Sequence, residues 1–511
     1  LGKVSIARIV LIGLGLAPVV ANAQVYESGD STWRMPNQGG TLPAVVEYPN
    51  ATGRIRILNA DGPVRTEGHA FFTALGTNGR ACVSCHQPAD GMSLSVDSIR
   101  RQWQRYGAAD PLFAAIDGSN CPSLPQQEAA SHSLLLNKGL FRVFLPWPPR
   151  NADGSVIRAE FDIEVVKDPA GCNLDPEYGL HSRQPMISVY RRPRPVANIK
   201  YLTELPHGVP PHEAFFYNDK SLLPKDPETG EFVSLQLMSD GRGISLRNQA
   251  RDAAATHLQV AQPLTEAQLQ QIVAFERQVY AAQSYDHVGG DLTGPGAPPG
   301  LGPEALRDGA PARLGNNPVN RIFGSFAMWL EAPNDPTLPV AQREFRASVA
   351  RGAEIFYARR FLIADVGAYN DKGLGNPFNR SCGSGCHNTL LMGMDLAPGF
   401  MDLGLNNWPW ANVQTDLPLF KVSCHPDAVP QSYLGRVIYT HDPGRALITG
   451  KCRDVGATMT QQSRALVARA PYFVNGSSAD LREMVDFYDR RFNIGYTEQE
   501  KQDLVNFMRT L

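Results

Sequence analysis

Apolar positions recur along this chain with two different periods, and each period marks its own elements. Thr265-Glu266-Ala267-Gln268 and Thr497-Glu498-Gln499-Glu500 are capping boxes, in which a Thr and a Gln or Glu three residues on satisfy the first backbone N–H groups of a helix. Behind the first come Leu269, Ile272, Phe275 and Val279; behind the second, Leu504, Phe507, Met508 and Leu511. That spacing predicts two amphipathic helices, each closing one half of the chain. Two shorter helical lead-ins, Glu67 to Phe72 and Arg351 to Phe356, both end on bulky apolar residues. The second period is strict alternation. It runs from Phe141 to Pro149 and from Glu160 to Val166, around Asp153-Gly154, and predicts a β-hairpin. The expected fold is therefore mainly α, with this hairpin inserted in the first half.

The ends and the middle of the chain divide it. Lys3 and Arg8 lead into an apolar run from Ile9 to Val20, and Ala21-Asn22-Ala23 follows. A basic start, a short apolar stretch and a small-x-small site predict a signal peptide over 1–23, cleaved after Ala23. The run is too short to span a bilayer comfortably, and no other stretch is long and apolar enough. The expectation is a periplasmic protein with no stable membrane anchor. Residues 288–314 are rich in Gly and Pro, centred on Gly294-Pro295-Gly296-Ala297-Pro298-Pro299-Gly300, as in a linker. It separates residues 24–287 from residues 315–511. The formal net charge of -2, with Lys and Arg scattered, carries no nucleic-acid footprint.

Cysteine chemistry sharpens this picture. The eight cysteines are 82, 85, 121, 172, 382, 386, 424 and 452. Cys82-Val83-Ser84-Cys85-His86 has the spacing of a c-type haem attachment: two thiols add across the haem vinyl groups, and the adjacent His supplies the proximal nitrogen. A redox dithiol needs no trailing His, and a zinc site needs a second ligand pair close by. Ser381-Cys382-Gly383-Ser384-Gly385-Cys386-His387 is stretched by one residue but keeps the Cys-His adjacency. Both signatures follow a lead-in and precede a closing helix. That shared order argues for two related, cytochrome c-like haem domains holding two covalently bound haem c. Pairing the other four cysteines in sequence order gives Cys121–Cys172 and Cys424–Cys452, each worth roughly 3–4 kcal/mol in the chain-entropy model.

With these pieces the sequence resembles the bacterial di-haem cytochrome c peroxidase family, which includes the MauG-type enzymes. The resemblance rests on the two signatures, on Asp240-Gly241-Arg242 and on Ala470-Pro471-Tyr472-Phe473-Val474-Asn475-Gly476-Ser477, with a helix from Leu481 to Tyr488 behind it. It implies a periplasmic oxidoreductase in which the N-terminal haem meets peroxide, or oxygen, and the C-terminal haem stores or relays the second equivalent. The partner is then a small periplasmic electron-donor protein, or an organic or protein substrate. It also implies His86 and His387 as proximal ligands, and it places Tyr488 where the family has the distal ligand of the C-terminal haem, with Met459 the next candidate. His257 falls near the family's catalytic groups, where general acid–base chemistry on peroxide needs a proton carrier. His181 is the other distal candidate, ahead of Arg191-Arg192-Pro193-Arg194-Pro195. Arg242 would hold a haem propionate or neighbouring backbone. Relatives often carry a calcium ion between the domains. Two departures stand out: Ser239 where the family has a Trp relay, and Val474 where it has a His. The competing class is a non-enzymatic di-haem electron carrier, with His181 or His257 bound permanently to the first iron.

Overall fold

The computed structural model describes residues 24–25, 32–151, 153–203, 225–230, 233, 237–309, 311–312, 315–318, 326–367, 375–383, 387, 400–411 and 414–511. Residues 1–23, expected to form a signal peptide, and Cys386 lie outside the described residues, as do residues 388–399. In chain order the principal elements are β1 (Val45–Asn50), β2 (Gly53–Asn59), α1 (Val96–Tyr106), β3 (Phe141–Pro146), β4 (Phe161–Lys167), β5 (Met186–Arg191), α2 (Leu246–Thr256), α3 (Glu266–Gln278), β6 (Val279–Asp286), α4 (Val340–Ala358), β7 (Leu419–Cys424), β8 (Val437–Thr440), α5 (Leu481–Phe492) and α6 (Glu498–Arg509).

This is a mixed architecture, which corrects the expectation of a mainly α fold: 33% of the structure is helix and 18% is strand, in several sheets. The helices announce themselves locally, through caps and apolar spacing. Several strands take their partners from far along the chain, where local periodicity carries no signal. The largest sheet has the order Gln24–Val25, β1, β2, β6, Gly290–Asp291. Its strand β6 starts at Val279, read from sequence as the last apolar position of a helix; α3 ends at Gln278 instead.

The expected hairpin is a second correction. Both of its strands form, but they do not pair with each other. β3 runs antiparallel to β5, with Phe141 opposite Arg191, and β4 runs antiparallel to β7, with Val422 opposite Ile163. The connection between them is far longer than the roughly two to five residues of ordinary hairpin loops. Asp153-Gly154 does make a tight turn, in which Asp153 Oδ1 accepts from Ser155 N at 2.9 Å. Because β4 lies before residues 288–314 and β7 after them, one sheet joins the two halves. A helix at Gly302–Asp308 buries Leu306 with Leu58, Tyr201 and Tyr280.

Both capping boxes are present, Thr265 accepting from Gln268 N and Thr497 from Glu500 N. The lead-ins differ. Arg351 to Phe356 is the end of α4, whereas Glu67 to Phe72 is a string of turns. At Gly352 the α4–α6 contact is so close that an added Cβ would lie 2.0 Å from Asp503 O, so a larger residue there would force the helices apart. The two expected disulfides form, Cys121–Cys172 with Cα atoms 5.0 Å apart and Cys424–Cys452 at 5.7 Å. No helix among the described residues is long and apolar enough to cross a membrane.

Candidate functional site

Each signature opens onto a cavity, about 170 Å³ at the first and about 120 Å³ at the second. Their scaffolds repeat contact for contact. The residue after the first Cys donates its N–H to the carbonyl of the lead-in Phe: Val83 to Phe71 O at 3.2 Å, Gly383 to Phe356 O at 2.9 Å. Each His donates its backbone N–H to the first Cys carbonyl, His86 to Cys82 O at 3.1 Å and His387 to Cys382 O at 3.0 Å. The lead-in Phe then packs on the closing helix, Phe71 on Phe275 with centroids 4.6 Å apart and Phe356 on Phe507 at 5.5 Å. Ile272 and Glu276 of α3 line the first cavity where Leu504 and Met508 of α6 line the second. The extra residue of the second signature leaves this frame intact.

The residues present fit haem c. Cys82, Cys85 and Cys382 are unpaired thiols on the cavity walls. His86 Nδ1 lies 3.2 Å from Met92 O; donating there leaves Nε2 as the ligand nitrogen. Burial lowers the His86 pKa to about 4, so the ring is neutral at pH 7, as metal binding requires. At the second cavity several buried polar groups stand without partners among the described residues. Thr460 Oγ1 and Gln461 Nε2 are buried on the lining without a hydrogen-bond partner among the described residues, as are Nε and Nη1 of the nearby, fully buried Arg464. Arg192, also buried, donates to the carbonyls of Leu94, Lys138 and Arg469. Buried cations and orphaned donors call for an anionic group, and haem brings two propionates.

The far wall of the first cavity is built from distant segments. Ser245 caps α2, accepting from Asn248 N at 3.2 Å, and His257 sits at the other end of that helix. Its Nδ1 lies 2.5 Å from Oδ2 of Asp117, a fully buried residue of the short helix Ala115–Gly118. Asp117 Oδ1 accepts from Arg80 Nη1, and Arg80 also donates to Pro111 O and Leu112 O at 2.7 and 2.6 Å. Burial opposes the Asp117 charge, but Arg80 and His257 outweigh it and hold the carboxyl below its usual range. Glu276 is the opposite case. It is buried on the same cavity with Oε2 unpartnered among the described residues, and burial alone lifts its pKa to about 8.

The remaining sequence candidates separate clearly. Arg242 lines the first cavity but is paired with Asp240 at 2.8 Å and Asp252 at 3.4 Å, so its charge is already met within the protein. Burial opposes the Asp240 charge, but Arg242 and Arg191 hold its carboxyl down at about 2. Arg191 in turn binds Asp442 through two hydrogen bonds. Tyr488 and Met459 both line the second cavity; Tyr488 stacks on Phe492, centroids 6.4 Å apart. His181 does not join them: it lies on an exposed turn and is on the lining of neither cavity. Its place ahead of the Arg/Pro run in sequence does not become nearness in space, because β5 stands between them. Asp117, Arg80 and Glu276 were missed. Only Arg80, two residues before Cys82, gave a local hint.

The cavities share a wall. Arg192 and Pro193 line both. Hydrogen bonds cross from one lining to the other, among them Met459 N to Ser239 O, Arg192 N to Val474 O and Arg194 Nη1 to Thr460 O, each 2.9 Å. Ser239 and Val474, the two departures noted in the sequence, thus meet the opposite cavity through their backbone. Among the described residues no group of three or more His, Cys, Asp or Glu is placed to hold a metal ion, so the calcium expected between the domains has no ligand cluster there.

Comparison with known proteins gives a partial likeness. The chain is 37% identical over 81 residues to a cytochrome-c peroxidase, IdrP1, of Pseudomonas sp. (strain SCT); the match covers 14% of this chain and 21% of that protein. This chain therefore spans about a fifth of the curated relative it matches. Among solved structures, a MauG-like protein associated with microbial copper homeostasis aligns over 62% of this chain and 90% of its own, at 14% identity and a TM-score of 0.25, too low to bear on the fold. No family model matches.

Proposed function

We propose, for a chain similar in sequence to the bacterial di-haem cytochrome c peroxidase and MauG family, that it is an exported oxidoreductase that reduces hydrogen peroxide in the first cavity. Each half of the chain would attach one haem c, through Cys82, Cys85 and His86 and through Cys382, Cys386 and His387. The observation that carries the reading is the contrast between two matched frames. The first cavity holds an imidazole on a buried carboxylate; the second presents Tyr488 and Met459. When bound, haem supplies an iron centre able to pass electrons to peroxide. Hydrogen peroxide takes up two electrons and two protons and leaves as two waters. His257 is the group placed to move protons in that change: Asp117 occupies Nδ1, so Nε2 accepts a proton and gives it to the departing oxygen. Arg242 and Arg191, tied down by Asp240 and Asp442, keep the wall between the cavities charged and rigid. Electrons would come from a small periplasmic donor protein and cross that wall. Two disulfides suit an oxidising compartment.

The test is spectroscopic. Purified holoprotein should contain two haem c per chain by pyridine haemochrome assay and show a high-spin ferric EPR signal from an open site. Its reduced form should change its Soret band on adding hydrogen peroxide. No reaction at either haem refutes the reading, and two low-spin signals turn it toward an electron carrier. Tyr488 on the second cavity favours the MauG-type branch, where an organic or protein substrate is oxidised. Turnover of peroxide without a cytochrome or cupredoxin donor would support that branch.

A further inference from the structure

Asp117 is separated from His257 by most of the first half of the chain, yet its two carboxylate oxygens are divided between Arg80 and His257. We infer that Asp117, clamped by Arg80, is a positioning residue that fixes the tautomer and aim of His257 in the first cavity. The inference deepens the peroxide reading and rests on it for its kinetic consequence, though not for the pairing itself.

A bland alternative is a buried Arg–Asp pair that merely closes the loop around residues 111–118. The hydrogen bonds argue against that as the whole account. Arg80 already anchors the loop through Pro111 O and Leu112 O, using Nε and Nη2. Its Nη1 goes to Asp117 Oδ1, and Oδ2 is spent on His257, whose side chain keeps 27% of its surface exposed. All three residues line the same cavity. The backbone of His257 is pinned too, its carbonyl accepting from Asn78 Nδ2 at 2.8 Å. Ring and main chain are thus held at both ends of one residue. With Arg80 keeping Asp117 an anion, the acceptor at Oδ2 requires the proton to sit on Nδ1. In the neutral ring Nε2 then carries the lone pair, and the ring cannot rotate to exchange its nitrogens without breaking a buried hydrogen bond.

Nitrogen-15 NMR of the labelled ferrous holoprotein, before any peroxide is added, reads the pairing directly. It should show a downfield, slowly exchanging Nδ1–H proton that disappears in His257→Gln, a change that leaves the Arg80–Asp117 pair in place. In Asp117→Asn the same signal should be lost, and peroxide turnover should fall about a hundredfold with KM little changed. Adding Asp117→Asn to His257→Gln should cost no further rate. Since Asp117→Asn strands a buried Arg80 charge, Arg80→Gln/Asp117→Asn removes both charges together and should show the same loss. A retained Nδ1–H signal in the Asp117 variants, a wild-type rate in them, or no such proton in the wild type overturns the inference. A wild type that shows the proton but ignores peroxide sinks the peroxide reading and leaves the pairing standing.

Discussion

The two cavities are built on one plan and furnished differently. Signature, lead-in Phe and closing helix make the same hydrogen bonds and ring contacts in both halves. The far walls do not repeat. In the first, α2 and the short helix Ala115–Gly118 bring an imidazole against a buried carboxylate; in the second, α5 brings Tyr488, and Met459 lines the same cavity. A repeated frame can hold the same prosthetic group twice. Unequal walls then decide what each copy does. Proton-handling groups suit a site of chemistry, and a tyrosine suits a site that stabilises oxidised iron.

The largest expected effect tests the first wall. His257→Gln should slow the peroxide reaction by roughly 10²–10⁴-fold, the range that general acid–base groups supply, as read by stopped-flow absorbance. A loss under threefold would erase the contrast between the cavities. Next comes the shared frame. Phe275 and Phe507 are 1% and 0% exposed, and cutting either to Ala should cost about 3–5 kcal/mol in denaturant unfolding. A large difference between them would show that the frames are not equivalent.

At the second wall, Tyr488→Met should raise the potential of the C-terminal haem, because a thioether favours ferrous iron. Spectroelectrochemistry should show that haem moving while the first stays in place. A fourth test uses a charged difference between the cavity-lining positions of the two closing helices, Glu276 against Met508. Burial raises the Glu276 pKa from the ordinary 4.5 to about 8, so the folded state binds a proton that the unfolded chain releases. Its contribution is fully present below about pH 4.5 and is lost as pH rises through about 8. Glu276→Gln should flatten that decline in denaturation midpoints between pH 5 and 9; an unchanged slope would show the carboxyl is not neutral in the cavity. The smallest effect is expected at His181. Exposed and off both linings, it should be replaceable by Ala with rate and spectra unaltered in the same stopped-flow assay.

Much of the shared frame was legible along the chain. Capping boxes, apolar spacing and Cys-His adjacency are local codes, so Thr265, Thr497, Phe275, Phe507, Cys82 and Cys382 could be assigned before any tertiary structure was known. The walls were legible only in part. His257 was found through its place after Asp240-Gly241-Arg242, but its partner Asp117 has no motif, and nothing near it in sequence marks it as a hydrogen-bond acceptor. His181 illustrates the opposite failure, in which sequence order suggested nearness that β5 does not allow. Strand pairing failed in the same way: β3 and β4 read correctly as strands, but their alternation said nothing of β5 and β7 as partners.

The sequence by itself determined the local features: where the two Cys-His signatures stand, which helices close each frame and, by simple order, which cysteines pair. These follow from contacts between residues a few positions apart, or from the reactivity of single groups. Tertiary structure alone decided that one sheet joins the two halves, that Ser239 and Met459 meet across a common wall, and that Asp117 grips His257. Each of those depends on segments far apart in the chain. Burial then gives such meetings their force, because a carboxylate or guanidinium removed from water must find its partner in the fold.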